Sequence, residues 1–477
     1  MASIDHSFPA GSGSPAAAPA ALRGRGAVTN VRHRFQSDER VQVDDGWSAS
    51  GLPADFVDPV PDFSSDASSS LTERAAGFPG KDDAATPAAS GRSSRIAPII
   101  PIVPDQRREP AAPKTQVTAE AARKMLSRND SPDIPFDVAV NPYRGCEHGC
   151  VYCYARPTHA YLGYSPGLDF ETRLVAKANA VEALRAELSR PGYKPSPINI
   201  GSATDAYQPI EREWRLTRGL LELMLETRHP LTIVTKNALV ARDLDLLAEL
   251  ARRNLVVVYM SVTTLDAAMA RSLEPRAAAP WRRLEAVRSL TDAGVPVGVL
   301  VAPIIPFIND ESMEHILEAA KAAGAHYASY TVLRLPWEVK TLFEDWLHAH
   351  FPDRAQRVLH RIEDLRSGRR NDPNFGSRMR GTGIWADLLR QRFSMAARKL
   401  GLNRSRLQLS CDQFMPPAVA GLDGAHDASS PVFPSPAGAK ASSGVPHAST
   451  AGVASGYVRG RSPLRAAAAG QLSLFES

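Results

Sequence analysis

The chain has 477 residues, 43% hydrophobic and 22% charged, with a formal net charge of +5 and a pI near 9.0. That is long enough for one large or two ordinary domains with a sizeable core, and too mildly basic to argue for or against a nucleic-acid partner. Four cysteines, three of them within eight positions, exclude a disulfide framework and suggest a reduced, cytoplasmic protein with a local thiolate site. The start, Met1-Ala2-Ser3-Ile4-Asp5-His6, carries no signal-peptide pattern, and the longest apolar run, Val295 to Phe307, is too short to span a bilayer and is broken by prolines.

Residues 1–112 are rich in Ala, Pro, Ser and Gly and read as a disordered region that cannot bury enough apolar surface to offset chain entropy. Residues 418–477 read as a second disordered tail. Between them, strands and helices alternate. Asp137–Val140 is a short strand leading into the cysteine loop, and Arg173–Leu188 has helical periodicity through Leu174, Ala178, Val181, Leu184 and Leu188. Strands follow at Ile198–Ile200, Leu231–Thr235, Leu255–Val262, Val295–Val301 and His326–Leu333. Between them lie helices at Glu213–Thr227, Leu239–Arg252, Pro280–Ala293 (stopped by Gly294) and Ser312–Ala323. Apolar strands alternating with amphipathic helices predict an α/β domain over 113–336, a parallel sheet covered by helices and curved like a barrel, with function at the strands' C-terminal ends. Residues 337–417 read as a basic, helical C-terminal extension.

The central motif is Asn141-Pro142-Tyr143-Arg144-Gly145-Cys146-Glu147-His148-Gly149-Cys150-Val151-Tyr152-Cys153-Tyr154, a C-x3-C-x2-C spacing. The short gaps let three soft thiolates converge on one inorganic centre, and Gly145 and Gly149 give the backbone freedom to wrap it. Three cysteines bind three irons of a cubane and leave the fourth iron open. A zinc site completed by His148, His159 or Cys411 is the competing reading, but zinc knuckles pair two short motifs and this chain has one.

This loop, following the first strand of a repeated strand–helix domain, resembles the radical S-adenosylmethionine (SAM) superfamily. The resemblance implies a partial (β/α)6 radical SAM barrel and a [4Fe-4S] cluster held by Cys146, Cys150 and Cys153. It also implies SAM chelated at the open iron, a 5′-deoxyadenosyl radical made by reductive cleavage, and an electron donor such as flavodoxin or ferredoxin. The cofactors carry the hard chemistry and the protein positions them. Polar residues cluster where the strands end: Gly201-Ser202-Ala203-Thr204-Asp205, Thr235-Lys236-Asn237 and Ser261-Val262-Thr263-Thr264. Ser202, Asp205 and Ser261 are expected to hydrogen-bond a ribose or amine, and Lys236 to pair with a carboxylate.

Within the superfamily the chain resembles the spore photoproduct lyase branch, which reverses a DNA lesion, through Thr204-Asp205, Ile233-Val234-Thr235-Lys236, Tyr259-Met260-Ser261-Val262, Glu274-Pro275-Arg276 and Val301-Ala302-Pro303-Ile304. By that resemblance Lys236 and Ser261 contact SAM, and Tyr152 lies beside the cluster and adenine. Where the lyase has a hydrogen-donating cysteine after its second strand, this chain has Ser202, whose O–H bond is too strong to give up a hydrogen atom easily. The chain is closer to an uncharacterised, lyase-like group of radical proteins.

Two features point toward DNA. The tail ends in Gln471-Leu472-Ser473-Leu474-Phe475, which looks like the pentapeptide that docks on the bacterial sliding clamp, with Leu472, Leu474 and Phe475 in an apolar pocket and Gln471 hydrogen-bonded beside it. Residues 366–406 hold eleven cationic side chains against Asp372 and Asp387. The leading expectation is a radical SAM enzyme acting on nucleic acid, in a lyase-type, DNA-repair-like role. The same chemistry on a protein or small molecule is the second, and a non-catalytic, metal-stabilised nucleic-acid adaptor the third.

Overall fold

A computed structural model of the chain describes residues 24–36 and 113–417. The expectations for the remaining residues, including Gln471, Leu472, Leu474 and Phe475, lie outside the described residues. Among the described residues ten strands form two sheets: β1 Gln116–Glu120, β2 Leu126–Arg128, β3 Val138–Val140, β4 Tyr143–Arg144, β5 Arg173–Lys177, β6 Ile198–Ile200, β7 Leu231–Thr235, β8 Val256–Ser261, β9 Val297–Ile304 and β10 Tyr327–Val332. The larger sheet runs β10-β9-β8-β7-β6-β3-β2. Six of its strands, from β3 to β10, are parallel, and β2 joins β3 antiparallel. The order is open among the described residues, so the parallel sheet does not close into a barrel there.

Residue chemistry explains the layers. All six residues of β8, Val256-Val257-Val258-Tyr259-Met260-Ser261, are buried, as a strand covered on both faces must be. Helices Ala180–Leu188, Leu216–Glu226, Leu244–Arg252, Pro280–Asp292 and Met313–Ala322 connect successive strands. Their buried stripes, such as Leu216, Leu220, Leu223 and Met224, recur at helical spacing and join one core with the strand residues. Among the described residues, no helix is long and apolar enough to cross a membrane. After β10 come helices Val339–His350, Ala355–Asp364, Ser377–Arg380 and Ile384–Leu400, the C-terminal extension.

Two expectations change. The helix expected over 173–188 is a strand followed by a shorter helix: Arg173–Lys177 pairs with β1 and β4 in a second, three-stranded sheet. Asn179 marks the switch, its side chain accepting from Ala122 N at 2.7 Å and donating to Ala122 O at 3.1 Å. Residues 24–36, which composition places in a disordered leader, pack onto the domain: Arg25, Gly26, Ala27 and Val28 are buried.

Candidate functional site

The strands' C-terminal ends bring the singled-out residues to one edge of the sheet. From β3 the chain enters the cysteine loop. Asn141 ties it to the end of β6, donating to Ser202 Oγ at 3.0 Å and accepting from Ala203 N at 2.8 Å. Gln208 holds the loop from the same side, accepting from Glu147 N at 2.9 Å and donating to Gly145 O at 3.2 Å. Cys146 and Cys150 are buried, and Cys153 is half-buried. Gly149 turns between them at φ 70°, and a Cβ there would sit 2.9 Å from Glu171 Oε2.

A buried ion pair supports the loop from behind. Arg156, fully buried, donates to Cys150 O at 2.9 Å, Gly149 O at 3.2 Å and Gly167 O at 2.9 Å, and pairs with Glu171 Oε1 at 2.5 Å. The other Glu171 donors come from the N-terminal segment, Ala27 N at 2.8 Å on Oε1 and Gly26 N at 3.1 Å on Oε2. Arg25 adds a bond to Glu171 O at 3.1 Å. The charges are thus matched and hydrogen-bonded, the condition for keeping them away from water.

Asp205 stands at the centre. Its carboxylate accepts from Tyr207 N at 2.8 Å, Thr235 Oγ1 at 2.7 Å and Lys236 N at 2.7 Å, and faces His148 Nδ1 at 3.3 Å. Burial pushes its pKa up, but His148, Thr235 and the Lys236 amide outweigh burial and hold it at about 2. A carboxylate offers about four lone-pair positions, and here each has a protein donor. Asp205 therefore knits the ends of β6 and β7 to the cysteine loop. His148 completes the link through Nε2, 3.3 Å from Asn237 Nδ2.

Tyr152 points to the far side. Its hydroxyl donates to Glu274, a buried carboxylate that also takes Thr263 Oγ1 and the buried guanidinium of Arg283. Arg283 reaches on to Ser261 O at 3.1 Å. Lys236 Nζ lies 5.7 Å from the Tyr152 ring centroid. Burial works against the lysine charge, but Cys150 and Glu274 more than offset it, so its pKa is raised. Ser261 is buried and its Oγ donates to Ala302 O at 3.2 Å. Ser202 sits between Asn141, on its Oγ, and the Tyr154 hydroxyl, on its carbonyl. The structure thus gathers Tyr152, Ser202, Asp205, Lys236 and Ser261 around the cysteine loop, with Lys236 the one side chain of the five for which no hydrogen bond or ion pair is found among the described residues.

The donor set fits an iron–sulfur cluster. Burial pushes the Cys150 thiol up to about 12, against the pull of Lys236, and raises Cys146 as well. Thiolates there need a cationic partner, which iron supplies. Cys150 and Cys153 also pack in an apolar group with Val151, Tyr152, Leu273, Ile305 and Leu333, a setting that excludes water. Among the described residues no three His, Cys, Asp or Glu side chains are arranged around one metal ion. A cubane asks for another arrangement, since each thiolate takes its own iron. Of the fourth ligands the zinc reading would use, His148 is engaged at both nitrogens, while His159 is bonded to Arg173 O at 2.9 Å through Nε2 and keeps a buried Nδ1 without a hydrogen-bond partner among the described residues. Cys411 adjoins Ser410, whose N donates to Asn254 O at 2.9 Å, next to the N-terminal end of β8 and across the sheet from the loop.

The Radical SAM superfamily profile matches residues 140–320, the span that holds this site. These residues form a radical SAM domain. Its cofactors are those of the family, a [4Fe-4S] cluster and SAM. Uncharacterised proteins are among its relatives. One from Mycobacterium tuberculosis is 37% identical over 226 residues, 47% of this chain and 66% of that protein, just under two thirds of its length. One from Methanocaldococcus jannaschii is 26% identical over 241 residues, covering 50% of this chain and 85% of its own. Among solved structures, spore photoproduct lyase complexed with dinucleoside spore photoproduct aligns with 60% of this chain and 80% of its own, at a TM-score of 0.44 and 16% identity.

Sequence reasoning missed Arg156, Glu171, Gln208, Glu274 and Arg283 as support for the site. Glu274 and Arg276 were in view as motif residues, but their partners are far away in sequence: Tyr152 for Glu274, and Glu147, at 2.5 Å, for Arg276. The basic run 366–406 also changes meaning. Arg378 pairs with Asp133, Arg370 with Glu344 and Glu363, Arg390 with Asp387 and Arg392 with Glu314. Arg366 is buried and donates to Leu333 O at 2.8 Å and Ser377 O at 2.8 Å. Four of the eleven cations are thus paired with carboxylates, and Arg366 is bonded to backbone carbonyls.

Proposed function

We propose that this protein is a cytoplasmic radical SAM enzyme whose substrate is a nucleic acid, in a lyase-type or repair-like reaction. The observation that carries the radical chemistry is the three-thiol loop at the C-terminal edge of the parallel sheet, dry on one side and anchored on the other. When bound, the cluster supplies the electron that cleaves SAM and yields the 5′-deoxyadenosyl radical.

The chain's own residues do the rest. Cys146, Cys150 and Cys153 would hold three irons and leave the fourth to SAM. Lys236, a raised-pKa cation beside Cys150, has its ammonium available for the methionine carboxylate. Tyr152, fixed by Glu274 and covered by Lys236, offers a flat wall beside the cluster. Asp205, His148 and Gln208 hold the loop still, so that reactive atoms meet in a defined geometry. The apolar group of Val151, Leu273, Ile305 and Leu333 keeps water from a radical.

The nucleic-acid reading is supported by the Gln471–Phe475 motif, which would bring the enzyme to DNA through the sliding clamp. Ser202, held by Asn141 where the lyase carries its donor cysteine, sets the last hydrogen transfer apart from the lyase's. The test has two arms. Deuterated DNA substrates bearing candidate lesions should pass deuterium into 5′-deoxyadenosine; transfer from a protein or small molecule instead would overturn the substrate. Clamp pull-down should fail when residues 471–475 are removed; equal recovery would remove the clamp.

A further inference from the structure

The chain leaves the C-terminal end of β10 through Leu333-Arg334-Leu335-Pro336-Trp337. Arg334 is a cation in an unusual position. Its Nε is buried without a hydrogen-bond partner, its Nη1 reaches Met379 Sδ at 3.6 Å, and it makes no ion pair among the described residues. Burial lowers its pKa and Arg378 lowers it further, while Tyr154, beside the last cluster cysteine, partly opposes them. The two carboxylates that act on it are engaged elsewhere: Asp133 is held by Arg378 at 2.7 Å, and Asp372 accepts from Ser377 Oγ at 2.6 Å and Asn374 N at 2.9 Å. A half-buried cation without a partner carries a desolvation cost that an incoming anion would relieve.

Three residues on, Trp337 begins a cluster of rings that face water. Arg34 lies 4.7 Å from the Trp337 centroid, 4.7 Å from Phe35 and 5.4 Å from Tyr161. Phe35 and Tyr161 are 5.3 Å apart. Glu338 locks the guanidinium at 3.0 Å, so Arg34 acts as the pin of the cluster. All three rings are more than half exposed. Arg34 takes one side of each ring, and a group of exposed aromatic side chains pinned in this way is binding surface more often than idle surface. Arg334 and Trp337 are within about 10 Å along the chain even when it is fully extended.

We propose that this exit from β10 is a lane for single-stranded nucleic acid, with a backbone phosphate on Arg334 and bases stacked on Trp337, Phe35 and Tyr161. A free phosphate-seeking cation beside stacking rings is the pairing that sequence-tolerant single-strand binding uses. Bases in a duplex are already stacked and would leave the rings idle. The lane runs past Tyr154 and so toward the cluster. It deepens the nucleic-acid reading above and rests on it for the substrate, but not for the binding.

The experiment is fluorescence anisotropy on the full, cluster-loaded chain with a labelled oligothymidylate, the matching duplex, a methylphosphonate version of the single strand and a proline-rich peptide. The oligothymidylate should bind best and the uncharged backbone poorly. Trp337→Ala should weaken binding roughly five- to a hundred-fold, the range of one lost stacked base. Arg334→Gln should weaken it and reduce the magnitude of the salt slope by about 0.7, one phosphate contact. Arg398→Gln, an exposed cation on the last helix, should change nothing. SAM cleavage without substrate, kept in both lane variants, shows that they are folded. Equal affinity of both lane variants and wild type, equal binding of duplex, or binding of the peptide in place of DNA would each overturn the lane. If the wild type cleaves SAM but binds no oligonucleotide, the lane fails and the radical chemistry stands. If the lane variants lose binding but DNA passes no deuterium to 5′-deoxyadenosine, the lane stands and the substrate assignment fails.

Discussion

Gly26 and Gly149 meet backbone to backbone: a Cβ on Gly26 would fall 1.6 Å from the Gly149 carbonyl oxygen. The N-terminal segment thus presses on the turn between the first two cluster cysteines, and its Gly26 and Ala27 amides share Glu171 with Arg156. Gly26→Val cannot keep this approach and should lift the segment off. The expected result is faster amide hydrogen exchange in residues 145–153 and a stability loss of about 1–3 kcal/mol, the usual cost of overpacking. Unchanged exchange in the loop would mean that the segment is an ornament.

Asp205→Asn separates scaffold from ligand. The amide loses the charge that His148 faces, and its NH2 must stand either against Tyr207 N and the Thr235 hydroxyl or against the Lys236 amide and His148. A buried acceptor lost in this way costs about 1–3 kcal/mol. Iron per chain after reconstitution should therefore fall along with stability. A variant that keeps its iron and stability but binds SAM more weakly would restore Asp205 to the cofactor.

Lys236→Met should behave in the opposite manner. The Lys236 backbone, not its side chain, serves Asp205. The variant should keep its iron and lose SAM affinity by about tenfold or more, the value of one charge-assisted contact. Equilibrium dialysis with labelled SAM reads this directly; unaltered affinity would place the carboxylate elsewhere.

Much of this site was legible in the sequence, and the reason is local. Cys146, Cys150 and Cys153 state their chemistry within eight positions, and the strand ends are where apolar runs stop at Ser202, Lys236 and Ser261. The supporting shell was not legible. Glu171 is 145 residues from Gly26, and Tyr152 is 122 from Glu274. No spacing rule links such pairs. Residues 173–188 misled because Leu174 fits the apolar stripe of a helix and also a strand, and pairing of β5 with β1 and β4 decided the matter.

Two buried histidines give a pH dependence. Burial holds His229 and His159 at about 4. His229 stays neutral between the Tyr193 hydroxyl at 2.8 Å and Pro230 O at 2.9 Å. The unfolded chain takes up these protons near pH 6.5 and the folded one near 4, so stability is full above about 6.5 and falls as pH drops through that window. His229 contributes about 3 kcal/mol of that fall. Urea unfolding of wild type and His229→Gln between pH 4.5 and 7 should show a flatter slope in the variant; parallel slopes would mean that His229 titrates alike in the folded and unfolded chain.

The most direct measurement is 5′-deoxyadenosine formation by the anaerobically reconstituted, chemically reduced chain. The account predicts cubane absorbance and 5′-deoxyadenosine from SAM, both lost when Cys146, Cys150 and Cys153 are changed to Ala. A wild-type protein that loads no cubane, or loads one and leaves SAM intact under reduction, would contradict it.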